Sequence, residues 1–411
     1  MSKFAKMSTE VEVIDLEGGG DSVQNQNFEP LPDDPALFAP YTYNRSMCKV
    51  STKKAEKGYT PFPSTISQEV LDEITRSFVP RDSDIWIVSY PKSGTTWGTE
   101  IISQIVHGES NAAPLGGGIA LGLTDEEHVP WLEALCGKSP SVDEAIARIN
   151  AMPETKPRTF KSHAPLDFIK LWTTAKSAVI YLARNPKDIA VSLWHHSHSK
   201  TSFGYEGPFS HFLDKIFLSG RAESGSWWGH VGTYFAAENW QAVVEGEEDN
   251  DDSTPRLFCL WYEAMLRTPA EAVQGISDFV GHKVSMVKAE EIAQECSFSA
   301  MKKSELANGV KGCNIEQDGG HEGDVNNAAG SQIRKGGVGG WKDYMTVRQN
   351  ERFDKIHHRQ LERGNTAGLG HNLIIDFGDQ KFDSKADKML EMLEGGGPES
   401  NDGEGGGCLV F

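Results

Sequence analysis

No two of the six cysteines in this chain of 411 residues (positions 48, 136, 259, 296, 313 and 408) stand in a C-x-x-C pair. The sequence therefore offers neither a zinc nor a disulfide framework, and it fits a reducing compartment. No apolar run is long enough to span a bilayer, and Met1-Ser2-Lys3-Phe4-Ala5-Lys6 does not lead into a secretory h-region. The expected localisation is cytoplasmic. Positive charge is also short: 40 Lys and Arg stand against 59 Asp and Glu, a net charge of −19. Phosphate backbones demand the opposite field, so no nucleic-acid partner is expected. Missing too is the complete G-x-x-x-x-G-K-[ST] run that forms the phosphate loop of ATPases and GTPases.

What is present is a different phosphate loop. Ile85 to Val88 is a short apolar run that reads as a buried strand. It gives way to Pro91-Lys92-Ser93-Gly94-Thr95-Thr96, and then Trp97, Ile101, Ile102, Ile105 and Val106 recur at helical spacing. A strand, a polar glycine loop and a helix start make an anion site, because free backbone N–H groups and the helix dipole face what the loop encloses. Lys92 adds full charge, and the hydroxyls of Ser93, Thr95 and Thr96 add donors. Lys92 precedes Gly94, so it approaches a nucleotide from the strand side.

The same logic returns further on. Ala178 to Leu182 is apolar, and Ala183-Arg184-Asn185-Pro186-Lys187-Asp188 follows it. Pro186 suits a first helical turn, and Asp188 suits the dipole there. Arg184 offers a fork for phosphate, and Ser192, about two turns on, can share its side. Taken alone, Arg184 reads equally as a surface ion pair.

The run Tyr90 to Trp97 resembles the 5′-phosphosulfate loop of the cytosolic sulfotransferases, and Ala183 to Ser192 resembles their 3′-phosphate motif. Arg334-Lys335-Gly336-Gly337-Val338-Gly339-Gly340-Trp341-Lys342 is similar to their R-K-G-x-x-G-x-W-K loop, with Gly340 where the family has Asp. The resemblance covers roughly residues 62 to 361. It implies 3′-phosphoadenosine 5′-phosphosulfate as co-substrate, a small-molecule hydroxyl or amine as sulfuryl acceptor, and no metal. Arg184, Ser192, Arg334, Lys335 and Gly336 would hold the 3′-phosphate. Thr159-Phe160-Lys161-Ser162-His163-Ala164-Pro165 matches the K-x-H-x-P element, which implies His163 as catalytic base beside Lys161 and Lys92. Trp97 is implied to stack on adenine, although a core Trp is as natural. Tyr262 of Leu260-Trp261-Tyr262-Glu263, with Ser297 and Phe298 of Cys296-Ser297-Phe298-Ser299-Ala300-Met301-Lys302, would line the base. His195, His196 and His198 cluster, but a helix end explains them without a metal.

Competing classes are a nucleoside-phosphate kinase and a non-catalytic scaffold. The missing G-x-x-x-x-G-K-[ST] and the R-K-G loop speak against the kinase, and Lys92, Lys161 and His163 together speak against the scaffold.

The nucleotide motifs must converge on one ligand, which argues for a single α/β domain. Strands alternating with helical patterns predict a central parallel sheet flanked by helices, and the resemblance implies a P-loop NTPase-like sulfotransferase architecture. Residues 1–58 are expected to be an acidic, disordered N-terminal segment. The sulfotransferase domain is expected over 59–390, with flexible insertions near 245–254 and 309–331, and a disordered Gly-rich tail over 391–411. Trp131, Phe203, Trp227 and Trp228 are candidates to line the acceptor pocket, and core packing explains them equally. Lys342 to Glu351 resembles the family's K-x-x-x-T-V-x-x-x-E dimer motif and implies a homodimer, while a helix start capped at Thr346 is the alternative. The chain ends Cys408-Leu409-Val410-Phe411, a C-a-a-X match. Weak membrane association through a lipidated Cys408 and a plain acidic tail both remain open.

Overall fold

The computed structural model describes residues 47–50, 60–63, 66–110, 128–199, 203, 205–235, 237, 255–307 and 336–362. The stretches expected as insertions (245–254, 309–331), the C-terminal tail with Cys408, and the pair Arg334 and Lys335 lie outside the described residues.

β1 (Met47–Val50) and β2 (Thr60–Pro63) form an antiparallel pair. The main sheet takes β3 (Ile85–Ser89), β4 (Thr159–Ser162), β5 (Ala178–Ala183) and β6 (Arg256–Trp261) in the order β4-β3-β5-β6. All its pairings are parallel, with Ile85 opposite Thr159 and Ala178, and Ala178 opposite Arg256. Successive strands are joined by helices: α1 (Gln68–Ser77) before β3, then α2 (Thr95–His107), α3 (Leu132–Lys138) and α4 (Val142–Asn150). α5 (Leu166–Ile169) precedes β5, and α6 (Pro186–Ser199), α7 (Phe209–Phe212) and α8 (Trp227–Phe235) lead to β6.

The strands are apolar along their length because both faces of the sheet are covered. Side chains alternate between the faces. Trp86, Val88, Phe160, Val179 and Tyr181 belong to a core with α1, α3, α4, α6 and α8. Ile85, Ile87, Ile180, Leu182 and Leu260 belong to the opposite core, with α2 and the helices Pro269–Phe279 and Met286–Glu295. This is the expected single α/β domain with a central parallel sheet flanked by helices.

One end of the sheet is pinned by a buried ion pair. Asp84 accepts from Arg158 Nε at 2.8 Å and Nη2 at 2.6 Å, and both residues are buried. The Ile85 N–H bonds the Arg158 carbonyl at 2.9 Å, so the pair sets β3 against β4. With the strands so registered, Ser89, Ser162, Ala183 and Trp261 end at the opposite edge, and the residues that follow each strand meet there.

Candidate active site

After β3 the chain curls tightly. Lys92 (φ 71°) and Gly94 (φ 101°) are left-handed, and the Ser93 N–H reaches the Tyr90 carbonyl at 3.2 Å. Gly94 starts α2, whose first intrahelical donors are Trp97 and Gly98, both bonded to the Gly94 carbonyl. The N–H groups of Thr95 and Thr96 are thus left without a helical partner, and they sit at the positive end of the dipole. A Cβ at Gly94 would stand 2.7 Å from Tyr262 Cδ2, so glycine is required there on two counts. The Ser93 hydroxyl is buried and finds no hydrogen-bond partner among the described residues. Buried polar atoms are rarely left so, and an anion in the loop would satisfy this one.

Arg184 follows β5 and bridges two loops. Its Nη1 donates to the Lys92 carbonyl and its Nη2 to the Gly337 carbonyl, each at 3.0 Å, while Nε is buried with no partner among the described residues. Its guanidinium lies 4.4 Å over the Tyr262 ring, and Tyr262 meets Trp97 edge-on at 5.5 Å. Helix α6 begins at Pro186, so Arg184 stands outside it and helical spacing does not relate it to Ser192. Ser192 is half-buried, and its hydroxyl makes no hydrogen bond among the described residues.

The segment after Lys335 is drawn to this corner by Asp188. Its carboxylate accepts from the Gly339 N–H at 2.8 Å and the Trp341 N–H at 3.0 Å. The family's Asp at position 340 is therefore not needed to anchor the loop, because an acid on α6 does it from across the cleft. Gly336 (φ 63°) lies so close to Phe298 that a Cβ would come within 2.1 Å of the ring. Ser297 accepts from the Ala300 N–H at 3.4 Å at the start of the helix Phe298–Ala307.

His163 follows β4. Its Nδ1 lies 2.8 Å from the Ser89 carbonyl. A carbonyl can only accept, so Nδ1 carries the proton and Nε2 keeps its lone pair. Burial lowers the imidazole pKa to about 4, opposed by the Ser89 bond and helped by the charges of Lys161 and Lys92. Both lysines thus act on this ring through their charge. The turn is held from behind. Ser162 Oγ accepts from the Ala164 N–H at 2.9 Å and donates to Glu133, a buried carboxyl that burial raises to about 7. Trp131 meets the His163 ring edge-on at 5.0 Å, and His230 Nε2 donates to the His163 carbonyl at 3.1 Å.

The structure thus gathers Lys92, Ser93, Gly94, Thr95, Trp97, Arg184, Tyr262, Lys161 and His163 along one sheet edge, with Phe298 and Gly336 alongside. Trp227 and Trp228 are core residues packed on each other, and Trp228 Nε1 donates to His357 at 2.9 Å. Trp131 alone of the four proposed acceptor-lining aromatics touches His163. His195 is not at a free helix end, since it is 2.9 Å from the Tyr344 hydroxyl. Glu133, between Leu132 and Ala134, and Glu223, between Ala222 and Ser224, stand in no motif, so nothing in the sequence singles them out.

Residues 82–365 match the family model described as "Sulfotransferase domain". Mouse "Sulfotransferase 2B1" is 28% identical over 306 residues, 73% of this chain and 78% of that protein. Mouse "Sulfotransferase 2A1" is 28% identical over 308 residues, 73% of this chain and 92% of its own length. Among solved structures, mouse sulfotransferase SULT7A1 complexed with PAP superposes with a TM-score of 0.51 at 25% identity, over 75% of this chain and 94% of that one. Retinol dehydratase in complex with androsterone and inactive cofactor PAP gives 0.55 at 20% identity, over 80% and 91%, and shows the shared fold. With the matched domain spanning more than half its length, the chain belongs to the sulfotransferase family.

Proposed function

We propose that this protein transfers the sulfuryl group of 3′-phosphoadenosine 5′-phosphosulfate to a hydroxyl or amine of a small molecule, with His163 as general base. The observation that carries this reading is the His163 Nδ1–H bond to the Ser89 carbonyl, which leaves the Nε2 lone pair to accept a proton under the charges of Lys161 and Lys92. The relative complexed with PAP supports the choice of nucleotide. So do the buried, unpartnered Ser93 Oγ and Arg184 Nε, which are donors suited to phosphate oxygens.

Bound, the donor supplies an activated sulfuryl group whose departure places charge on the 5′-phosphate. His163 Nε2 accepts the proton of the attacking hydroxyl and holds it as charge leaves. Lys92 and the N-terminus of α2 stabilise that charge, and Lys161 adds to the field. Arg184 and Ser192, with Arg334 and Lys335 outside the described residues, are assigned to the 3′-phosphate. Trp97, Tyr262, Ser297 and Phe298 are assigned to the base. Charge neutralisation by these side chains leaves no role for a metal in this reading. Positioning and electrostatics dominate, as in phosphoryl transfer.

The test is nucleotide selectivity. Calorimetry should find 3′-phosphoadenosine 5′-phosphate bound about ten-fold or more tightly than 5′-AMP, the least that one charged hydrogen bond to the extra phosphate contributes. Equal affinities would remove the donor assignment.

We further propose a homodimer through Lys342 to Glu351. Val347 is 76% exposed at the start of the helix Val347–Glu362, so its side chain is open to a second copy. Thr346 and Gln349 cap this end reciprocally, the Thr346 N–H donating at 2.9 Å and the Gln349 N–H at 3.3 Å, so the segment is rigid enough to meet its symmetry mate. Light scattering at micromolar concentration should give twice the monomer mass, and Val347→Glu should halve it by setting two like charges on the axis. A monomeric wild type discards the motif.

A further inference from the structure

His163 and Ala164 lie just past the end of β4, and Pro165 after them has no N–H to offer. Their carbonyls have left the sheet, and among the described residues no backbone N–H meets either one. Ala164 is fully buried, where an unmet carbonyl is costly. Two side chains of α8 take the place of a neighbouring strand. His230 Nε2 donates to the His163 carbonyl at 3.1 Å, and the Tyr234 hydroxyl donates to the Ala164 carbonyl at 2.8 Å. Residues four apart share one helix face, so α8 grips two consecutive peptide groups at once.

The grip is itself fixed from the sheet. A carbonyl only accepts, so His230 Nε2 carries the ring proton and Nδ1 is left to accept. The Tyr181 hydroxyl, on β5, supplies that bond at 2.9 Å. Burial lowers the His230 imidazole to about 3, so the ring is neutral and holds this tautomer. His230 packs edge-on against Tyr90 at 5.5 Å and stacks on Tyr181 at 5.8 Å, while Tyr181 and Tyr234 stack at 4.0 Å. All three side chains, Tyr181, His230 and Tyr234, are buried. His163 is therefore held at two points, its ring on the Ser89 carbonyl of β3 and its own carbonyl on α8. The ring bond alone would leave the peptide free to turn, and fixing the peptide as well leaves the ring one orientation.

We infer that His230 and Tyr234 are positioning residues for the base: from one face of α8 they hold the His163 and Ala164 carbonyls and so keep the His163 ring on the Ser89 carbonyl. The inference rests on the reading of His163 as base given above. Both residues act through His163, and neither is assigned a contact with the reacting atoms.

The experiment is nitrogen NMR of isotopically labelled histidine side chains in the full chain at neutral pH. The His163 signals are identified by their loss in His163→Ala. Wild type should show His163 as the Nδ1–H tautomer alone. His230→Phe keeps a ring against Tyr90 and Tyr181 but removes the donor. There a second His163 population, Nε2–H, should appear, because the tautomer follows the hydrogen bond the ring makes. His230→Gln should restore the single form, since its amide N–H can replace the ring Nε2–H. Calorimetry with 3′-phosphoadenosine 5′-phosphate should find affinity unchanged in both variants, a separation that a general loss of structure would not give. A single Nδ1–H form in His230→Phe overturns the inference, and so does His230→Gln behaving as His230→Phe does. A loss of nucleotide affinity beside the tautomer change also overturns it, because His230 would then support the whole cleft. Should His230→Phe fail to fold, Tyr234→Phe, which removes one oxygen, decides: an Nε2–H population at His163 supports the inference and its absence overturns it. A wild-type His163 in the Nε2–H form would instead remove the base reading itself.

Discussion

Replacing His163 with Ala should lower kcat by about 10²–10⁴-fold, the usual contribution of a positioned general base, and leave nucleotide affinity nearly unchanged. The separation follows from where the ring is held. Its Nδ1 is committed to the Ser89 carbonyl, which leaves Nε2 as the ring nitrogen for the proposed proton transfer. The phosphate loop relies on Lys92, Ser93 and backbone N–H groups, which the substitution does not touch. Stopped turnover with intact binding is the signature, read by steady-state kinetics beside calorimetry. Wild-type turnover in the variant would end the assignment. The pH profile carries a second expectation. Burial and the two lysines hold the imidazole near about 4 in the empty site, so kcat/KM should show no acid limb at the ordinary histidine value. Donor phosphates stabilise the imidazolium, which raises its pKa in the complex. The acid limb of kcat should therefore lie at higher pH than that of kcat/KM, and it should vanish in the variant.

Arg184→Ala should cost about 1.5–3 kcal/mol in binding 3′-phosphoadenosine 5′-phosphate, the range for a hydrogen bond with a charged partner. The loss should be smaller for 5′-AMP, which has no 3′-phosphate to miss. Some loss for both is expected, because the side chain also ties the Lys92 carbonyl to the Gly337 carbonyl. Arg184→Lys should recover little. One ammonium cannot span two carbonyls and a phosphate as the planar fork does, nor lie flat on Tyr262 in the same way. Isothermal titration of both nucleotides against the three proteins makes the comparison. Equal losses for the two ligands would show that Arg184 organises the loops without reading the extra phosphate.

Most of the fold was legible because its signals are local. The run from Ile85 through Gly94 to the Trp97 periodicity states strand, turn and helix in order, and the structure differs only in starting α2 at Thr95. The second unit, from Ala178 to Asp188, reads the same way. What could not be read was which carboxylates would cross the molecule. Asp188 suits its own helix dipole by sequence, yet it spends its oxygens on Gly339 and Trp341, about 150 residues away. Its partners are backbone groups, which have no sequence identity to search for. Glu133 and Glu223 are hidden for the same reason, since their burial is made by segments remote in the chain. Trp227, Trp228 and Trp131 could not be sorted between core and cleft, because hydrophobicity is common to both places.

By itself, the sequence determined the chemistry available to this protein: a lysine and hydroxyl loop, a forked arginine after the next strand, and a histidine between Ser162 and Ala164. These depend on residue type and close spacing, which act over one turn or one strand. Tertiary structure alone decided that they meet. A parallel sheet brings the ends of β3, β4, β5 and β6 to one edge, so groups from Lys92 to Tyr262 share a cleft. It also decided the protonation states. Desolvation comes from packing, and packing lowers the His163 imidazole to about 4 and raises the Glu223 carboxyl to about 7.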